Sequence, residues 1–407
     1  MHILYLSYDG LTDPLGQSQV LPYLRGLSAS GYRITVASFE KREAYVLHQE
    51  TIAQFCELHG LRWIPLSYTK HPPILSTLFD IVKLWRLVQR LHREEHFRLV
   101  HCRSYITALV GLRMKQRYGC KFLFDMRGFW VDERVEGGIW SLGNPLFQFI
   151  YRYFKRKEKE FFENADHIIC LTEAGRTEIH SWPLVNQPVP ITVIPCCADL
   201  SLFSYEHILP TRQAAYRSAL GLPANSLTLS YLGSIGTWYM LPEMLTFFKV
   251  LRKRVRDAHF LFITGENPEV IEKEALRQGI PLDSLTIKRA NRQEVPYYLS
   301  LSDISIFFCK PVFSKIASSP TKQAEIMGMG IPVICNDKVG DTAQIIDETG
   351  AGIVLSLFEK NVYEKVVDRV EEALAIPKEK IRAGALKYYS LENGVAQYLR
   401  VYQELLN

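Results

Sequence analysis

Residues 318–334 read Ser-Ser-Pro-Thr-Lys-Gln-Ala-Glu-Ile-Met-Gly-Met-Gly-Ile-Pro-Val-Ile, and the fold class follows from them. Ser319 suits a helix N-cap, and Pro320 suits the first helical position, where no amide hydrogen is needed. The helix stops at Gly328 or Gly330, and Pro332 to Cys335 reads as a short buried strand. A helix handing over to an apolar strand is the repeating unit of an α/β domain. The first turn of such a helix has amides without partners. Together with the positive end of the helix dipole they favour an anion in front of Thr321 and Lys322. Glu325 follows Lys322 by three positions and Thr321 by four, so the three share a face, and a carboxylate there can accept ribose-like hydroxyls. The same pattern also fits an ordinary capped amphipathic helix with a Lys322–Glu325 surface pair.

Outward from this stretch, strands and helices alternate in two series. Apolar runs at 2–8, 33–38, 98–103, 121–126, 167–172 and 192–196 alternate with helical patterns and read as a doubly wound parallel sheet. A less regular stretch spans 199–225. A second series follows at 227–232, 259–264, 285–288, 304–309, 332–336 and 352–355. The expected organisation is two Rossmann-like α/β domains, residues 1–200 and 201–390, with a terminal helix at 391–407. Ligands of such sheets sit beyond the carboxyl ends of the strands, so the two domains are expected to face a cleft.

With 407 residues, 47% hydrophobic and 22% charged, the composition is that of a globular protein with two cores. No run of about 18 apolar residues occurs, and the N-terminus opens on the strand-like His2 to Leu6. A cytoplasmic protein without a leader or a spanning helix is therefore expected. The eight cysteines lack metal or thioredoxin spacing and read as reduced structural thiols. No metal ligand set and no cofactor is expected. The net charge of +5 is uneven, since Lys83 to Lys121 holds ten Lys/Arg against Glu94 and Glu95. Within the 75–93 helical pattern, Leu78, Val82, Trp85 and Val88 or Gln89 fall on one stripe, with Lys83, Arg86, Arg90 and Arg93 around it. Residues 145–162 interleave Phe147, Phe149, Ile150, Tyr153 and Phe154 with Arg152, Lys155, Arg156, Lys157 and Lys159. Both stretches read as core-facing stripes with a solvated rim, or as peripheral contacts to an anionic membrane. Neither carries a nucleic-acid-binding motif.

Polar residues gather at the expected strand ends. A Gly-containing loop from Tyr8 to Gln19 follows the first strand, with Gly16 and Gln17 at its turn. His101 and Arg103 close one strand, and Asp125 and Arg127 another. One such residue alone is more often structural, but several on one rim favour a site. In the second series, Gly233, Ser234, Gly236 and Thr237 form a turn whose amides can cradle a diphosphate, or which simply joins strand to helix. Lys315 precedes the Ser319 helix start, and Arg289 follows the third strand where a base can be held.

These residues carry a family resemblance over nearly the whole chain. Asn164 to Glu173 (NADHIICLTE), Val193 to Phe203 (VIPCCADLSLF) and Glu325 to Ile334 (EIMGMGIPVI) resemble segments of the GT-B glycosyltransferases of family 4. The resemblance implies a retaining transfer from a nucleoside diphosphate sugar to a hydroxyl acceptor, such as a glycan or lipid-linked glycan, without a required metal. It implies that Glu325 binds the ribose and that Ser319, Thr321 and the Gly233–Thr237 turn hold the diphosphate. It also implies that the Gly16 loop faces phosphate and acceptor, and that Arg127, Lys322 and Glu325 are the catalytic set. Three departures stand out. Ala317 occupies the place of the family's first Glu, Ser234 stands where Arg is usual with Tyr239 or Met240 near the place of the usual Lys, and Arg127 stands where many members have His. Lys315 or Lys322 is the expected replacement charge. A nucleotide-sugar epimerase and a non-catalytic nucleotide-sugar-binding partner protein are the alternatives.

Overall fold

The structure is a computed structural model of the full chain, in which residues 1–185, 188–223 and 226–407 are described. It divides into two compact units, Met1–Pro195 with Leu391–Asn407, and Cys196–Ser390.

The first unit is built on seven parallel strands: β1 His2–Ser7, β2 Arg33–Glu40, β3 Leu61–Ser67, β4 Leu99–Arg103, β5 Lys121–Asp125, β6 His167–Cys170 and β7 Ile191–Val193. Their order is β3-β2-β1-β4-β5-β6-β7. The second has six: β8 Thr228–Leu232, β9 His259–Ile263, β10 Leu285–Lys288, β11 Ile304–Phe307, β12 Val333–Asn336 and β13 Gly352–Leu355, in the order β10-β9-β8-β11-β12-β13. Each order reverses beside the first strand of its unit, which marks where ligands of doubly wound sheets gather. Register makes these edges level. Ser7 pairs with Arg103 and Arg103 with Asp125, while Leu232 pairs with Ile263 and Ile263 with Lys288.

The strand absent from the sequence expectation is β3. Pro65 and outward polar residues break its apolar run, and it survives because it pairs only with β2 at the sheet edge, where a missing amide costs no ladder bond. The stretch expected to be irregular holds a helix, Pro210–Ala219; its last positions, 224 and 225, lie outside the described residues. The Leu75–Glu95 helix corrects another expectation. Its sheet-facing side is Ile81, Leu84, Leu87, Val88 and Leu91, whereas Leu78 and Val82 point outward. The expected stripe was displaced around the helix because the apolar residues there outnumber those a single face can bury.

The terminal helix Leu391–Leu406 belongs to the first unit through side chains that no local pattern shows. Tyr398 donates to Asp125 Oδ2 at 3.0 Å, Tyr402 is hydrogen-bonded to His101 Nδ1 at 2.8 Å, and Arg98 donates to the Leu406 carbonyl at 3.1 Å. Gly26 lies so close to Val395 that a Cβ on it would stand 2.6 Å from that side chain. Burial pushes the Asp125 carboxyl up, but Arg127, His101 and Arg103 together outweigh it and hold the group at about 2. Burial leaves His101 below its ordinary value, with Asp125 opposing. An Asp held below its unfolded value of roughly 3.9 stabilises the fold above that pH and ceases to do so as pH falls through its folded value. Asp125→Asn is expected to cost the unit about 3 kcal/mol in denaturant unfolding at pH 7. The gap to wild type should close between about pH 4 and 2; an unchanged midpoint at pH 7 would contradict this reading.

Candidate functional site

The carboxyl edge of the second sheet assembles most of the expected donor residues. Beyond Leu232 the chain enters a turn in which Gly233 has φ +103° and Gly236 φ +42°, the first a conformation open in practice only to glycine. Lys322 lies beneath that turn, its Nζ 3.3 Å from where a Gly233 Cβ would stand. The ammonium is caged by tyrosines. Nζ donates to the Tyr231 hydroxyl at 2.8 Å and lies 4.2 Å from the Tyr231 ring centroid and 3.3 Å from that of Tyr239. Tyr231 in turn donates to the Ser234 carbonyl at 2.6 Å, so lysine, strand end and turn form one chain of bonds. Lys322 makes no ion pair among the described residues, and burial drives its pKa well below the ordinary lysine value, with Cys309 and Glu325 opposing. The tyrosine faces favour the ammonium without supplying an opposing charge, while burial favours the neutral amine.

One turn along the helix, Glu325 is buried and ion-paired through Oε1 with Arg292, whose guanidinium rests 4.5 Å from the Phe203 ring. The pair bridges the loop after β10 to the helix. Lys315, also buried, sits 3.8 Å over the Trp238 ring, immediately after Thr237. Arg289 packs beside Gly265 at the ends of β10 and β9, and with Thr264, Glu266 and Asn267 it lines a cavity of about 360 Å³. Ser234, Gly236 and Thr237 are exposed.

One residue is placed differently from the sequence expectation. The helix runs Thr321–Gly328 with Pro320 in the cap position, and Ser319 makes no cap. Its hydroxyl instead accepts the Cys196 amide at 3.2 Å, which fixes the chain entering the unit. The helix thus starts one residue later, while its first free amide is still that of Thr321, since Pro320 has none.

In the first unit, the turn after β1 is shaped by a carboxylate the sequence reading passed over. Glu40, buried at the end of β2, accepts the amides of Leu11 and Thr12 at 2.9 and 3.1 Å and the hydroxyls of Thr12 and Ser38. Gly16 stacks so tightly on this turn that a Cβ would fall 2.1 Å from the Gly10 carbonyl oxygen, and Gln17 donates to the Thr12 carbonyl. Arg103 lies 3.6 Å from Asp9, and Arg127, at φ +59°, lies 3.7 Å from Asp125. A left-handed arginine is a strained element of the kind that collects at functional edges. His101 and Asp125 are interior residues, committed to the terminal helix, and do not line an open rim.

The family model for Glycosyltransferase Family 4 matches residues 17–202, and that for Glycosyl transferases group 1 matches residues 212–387. The chain is a GT-B glycosyltransferase of family 4. Solved structures share its fold over essentially full lengths. Sucrose-phosphate synthase from Thermosynechococcus elongatus aligns with TM-score 0.76 at 17% identity, covering 100% of this chain and 99% of its own. Anabaena Alr3699/HepE in complex with UDP-glucose gives 0.75 at 13%, covering 99% and 100%. WaaG, a glycosyltransferase involved in lipopolysaccharide biosynthesis, gives 0.69 at 14%, covering 97% and 99%. No curated protein matches the chain.

In this glycosyltransferase Ala317 is fully buried at the end of a short 3₁₀ turn, Phe313–Ala317, so the position of the family's first Glu is packed rather than open. Tyr239, near the place of the usual Lys, supplies a ring 3.3 Å from the Lys322 ammonium. Tyr231, which carries no motif, completes the site, and Arg292, read with Arg289 among the residues after the third strand, pairs with Glu325. The one sequence signal for Tyr231 is a polar hydroxyl within an otherwise apolar strand. Below its unfolded pKa a lysine lowered by burial costs stability, and the cost fades as pH rises toward about 10.4. Lys322→Met should therefore raise the stability of the fold by about 1–2 kcal/mol at pH 7, with less gain at pH 10. A variant less stable than wild type at pH 7 would refute the buried-cation reading.

Proposed function

We propose that this glycosyltransferase moves a sugar from a nucleoside diphosphate sugar to a hydroxyl acceptor with retention of configuration and without a metal. Its place is the assembly of a surface polysaccharide or other glycan, on a glycan or lipid-linked acceptor at the inner face of a membrane. The observation that carries the reading is the carboxylate-free Lys322 ammonium under the Gly233 turn. The UDP and UDP-glucose bound by Alr3699/HepE support a nucleotide-sugar donor.

The roles follow from charge. As the bond between the anomeric carbon and the diphosphate oxygen breaks, negative charge grows on the diphosphate. Lys322, Lys315, the turn amides and the amides from Thr321 onward meet it in a site already organised to receive it. The acceptor oxygen bonds to the anomeric carbon and its proton passes to the departing phosphate, so the protein orients the partners more than it abstracts a proton. Arg292 fixes Oε1 of Glu325 and leaves Oε2 to accept ribose hydroxyls. Arg289 and the neighbouring cavity offer a place for the base. Arg127 is the candidate catalytic cation of the first unit.

Alanine at Glu325 or at Lys322 should each lower donor turnover by at least about tenfold. Turnover equal to wild type in both variants would remove this pocket from the reaction. A product of inverted anomeric configuration would contradict retention, and conversion of donor without acceptor would point to an epimerase.

A further inference from the structure

The Leu75–Glu95 helix keeps an apolar face in water. Leu75, Leu78, Phe79 and Val82 recur at helical spacing and are 63, 54, 60 and 45% exposed. The same helix seats a complete second set of apolar residues on its sheet, so the outer stripe is additional to the core. Contiguous apolar surface of this kind marks an interaction site. Further along the helix the exposed positions become basic, at Arg86 and Arg90. Beside them Trp85 joins Arg113, Gln116 and Arg117 of the Ser104–Tyr118 helix around an open recess of about 330 Å³. Arg86, Arg90, Arg113 and Arg117 make no ion pair with a carboxylate among the described residues.

Apolar residues in line with unpaired arginines, with a tryptophan at the boundary between them, match a surface where hydrocarbon gives way to anionic head groups. A protein partner would have to bring both an apolar groove and an acidic rim; a lipid leaflet offers the two together. The helix Pro145–Asn164 packs on the same Ser104–Tyr118 helix and exposes Leu146, Phe149 and Tyr153, which repeats the composition.

We propose that this face docks the first unit on an anionic lipid bilayer. Leu75, Leu78, Phe79 and Val82 enter the boundary between head groups and acyl chains, and the Trp85–Arg113–Arg117 recess takes a lipid phosphate. The docking rests on this surface alone and not on the transfer reaction, although it would bring the enzyme to a lipid-linked acceptor.

The test is co-sedimentation of the full chain with vesicles of pure phosphatidylcholine and of phosphatidylcholine mixed with phosphatidylglycerol, without donor or acceptor. The wild type should bind only the anionic vesicles, less well as salt rises. Phe79→Glu/Val82→Glu and Arg113→Glu/Arg117→Glu should each bind roughly tenfold more weakly, with unchanged circular dichroism and donor turnover. Absence of binding by the wild type, or equal binding by Phe79→Glu/Val82→Glu, would overturn the proposal. So would a concentration-dependent dimer that the same variant abolishes in a protein that ignores vesicles, which would give the face to a second copy of the chain.

Discussion

Lys322 is held by a hydroxyl and two aromatic rings where most buried lysines have a carboxylate, and the donor edge of the second unit is organised around that choice. A carboxylate partner would stabilise the ammonium and cancel its field. Tyrosine rings stabilise it more weakly and leave the field standing. The cost appears as a strongly lowered pKa from burial. The result is a lysine without an ion pair among the described residues, directly beneath a glycine turn. One helical turn away Glu325 is paired with Arg292, and its charge still opposes the burial of the lysine.

The departures from the family pattern become coherent in this light. Tyr239, near the place of the family's usual lysine, offers its ring to Lys322, which comes from the helix and not from the loop. Substituting either residue alone therefore leaves half of a device: a ring without a cation, or a cation without its support. Ala317 is packed at the end of its 3₁₀ turn and brings no carboxylate to that position.

Much of the fold was legible because parallel sheets buried on both faces write long apolar runs into the sequence, as at 227–232 and 259–264. The strand that escaped, Leu61–Ser67, lies at a sheet edge and carries Pro65, so its pattern never became apolar. Site legibility was more uneven. Lys322, Glu325 and the Gly233 turn announce themselves by charge and glycine at strand ends, but a cap at Ser319 was inferred from a local preference that the Cys196 amide overrides. Glu40 reaches Thr12 across 28 positions, Tyr231 reaches Lys322 across 91 and His101 reaches Tyr402 across 301, and no local period reports such contacts. His101 shows the converse error: a histidine at a strand end looks like chemistry until Tyr398 and Tyr402 close over it.

The proposed division of labour along one helix gives phosphate to Lys322 and ribose to Glu325. Calorimetric titration of a nucleoside, its monophosphate and its diphosphate against wild type, Lys322→Met and Glu325→Ala tests it most directly. The prediction is that Glu325→Ala weakens all three ligands, whereas Lys322→Met weakens the diphosphate most and leaves the nucleoside untouched. Equal diphosphate affinity in wild type and Lys322→Met would contradict it.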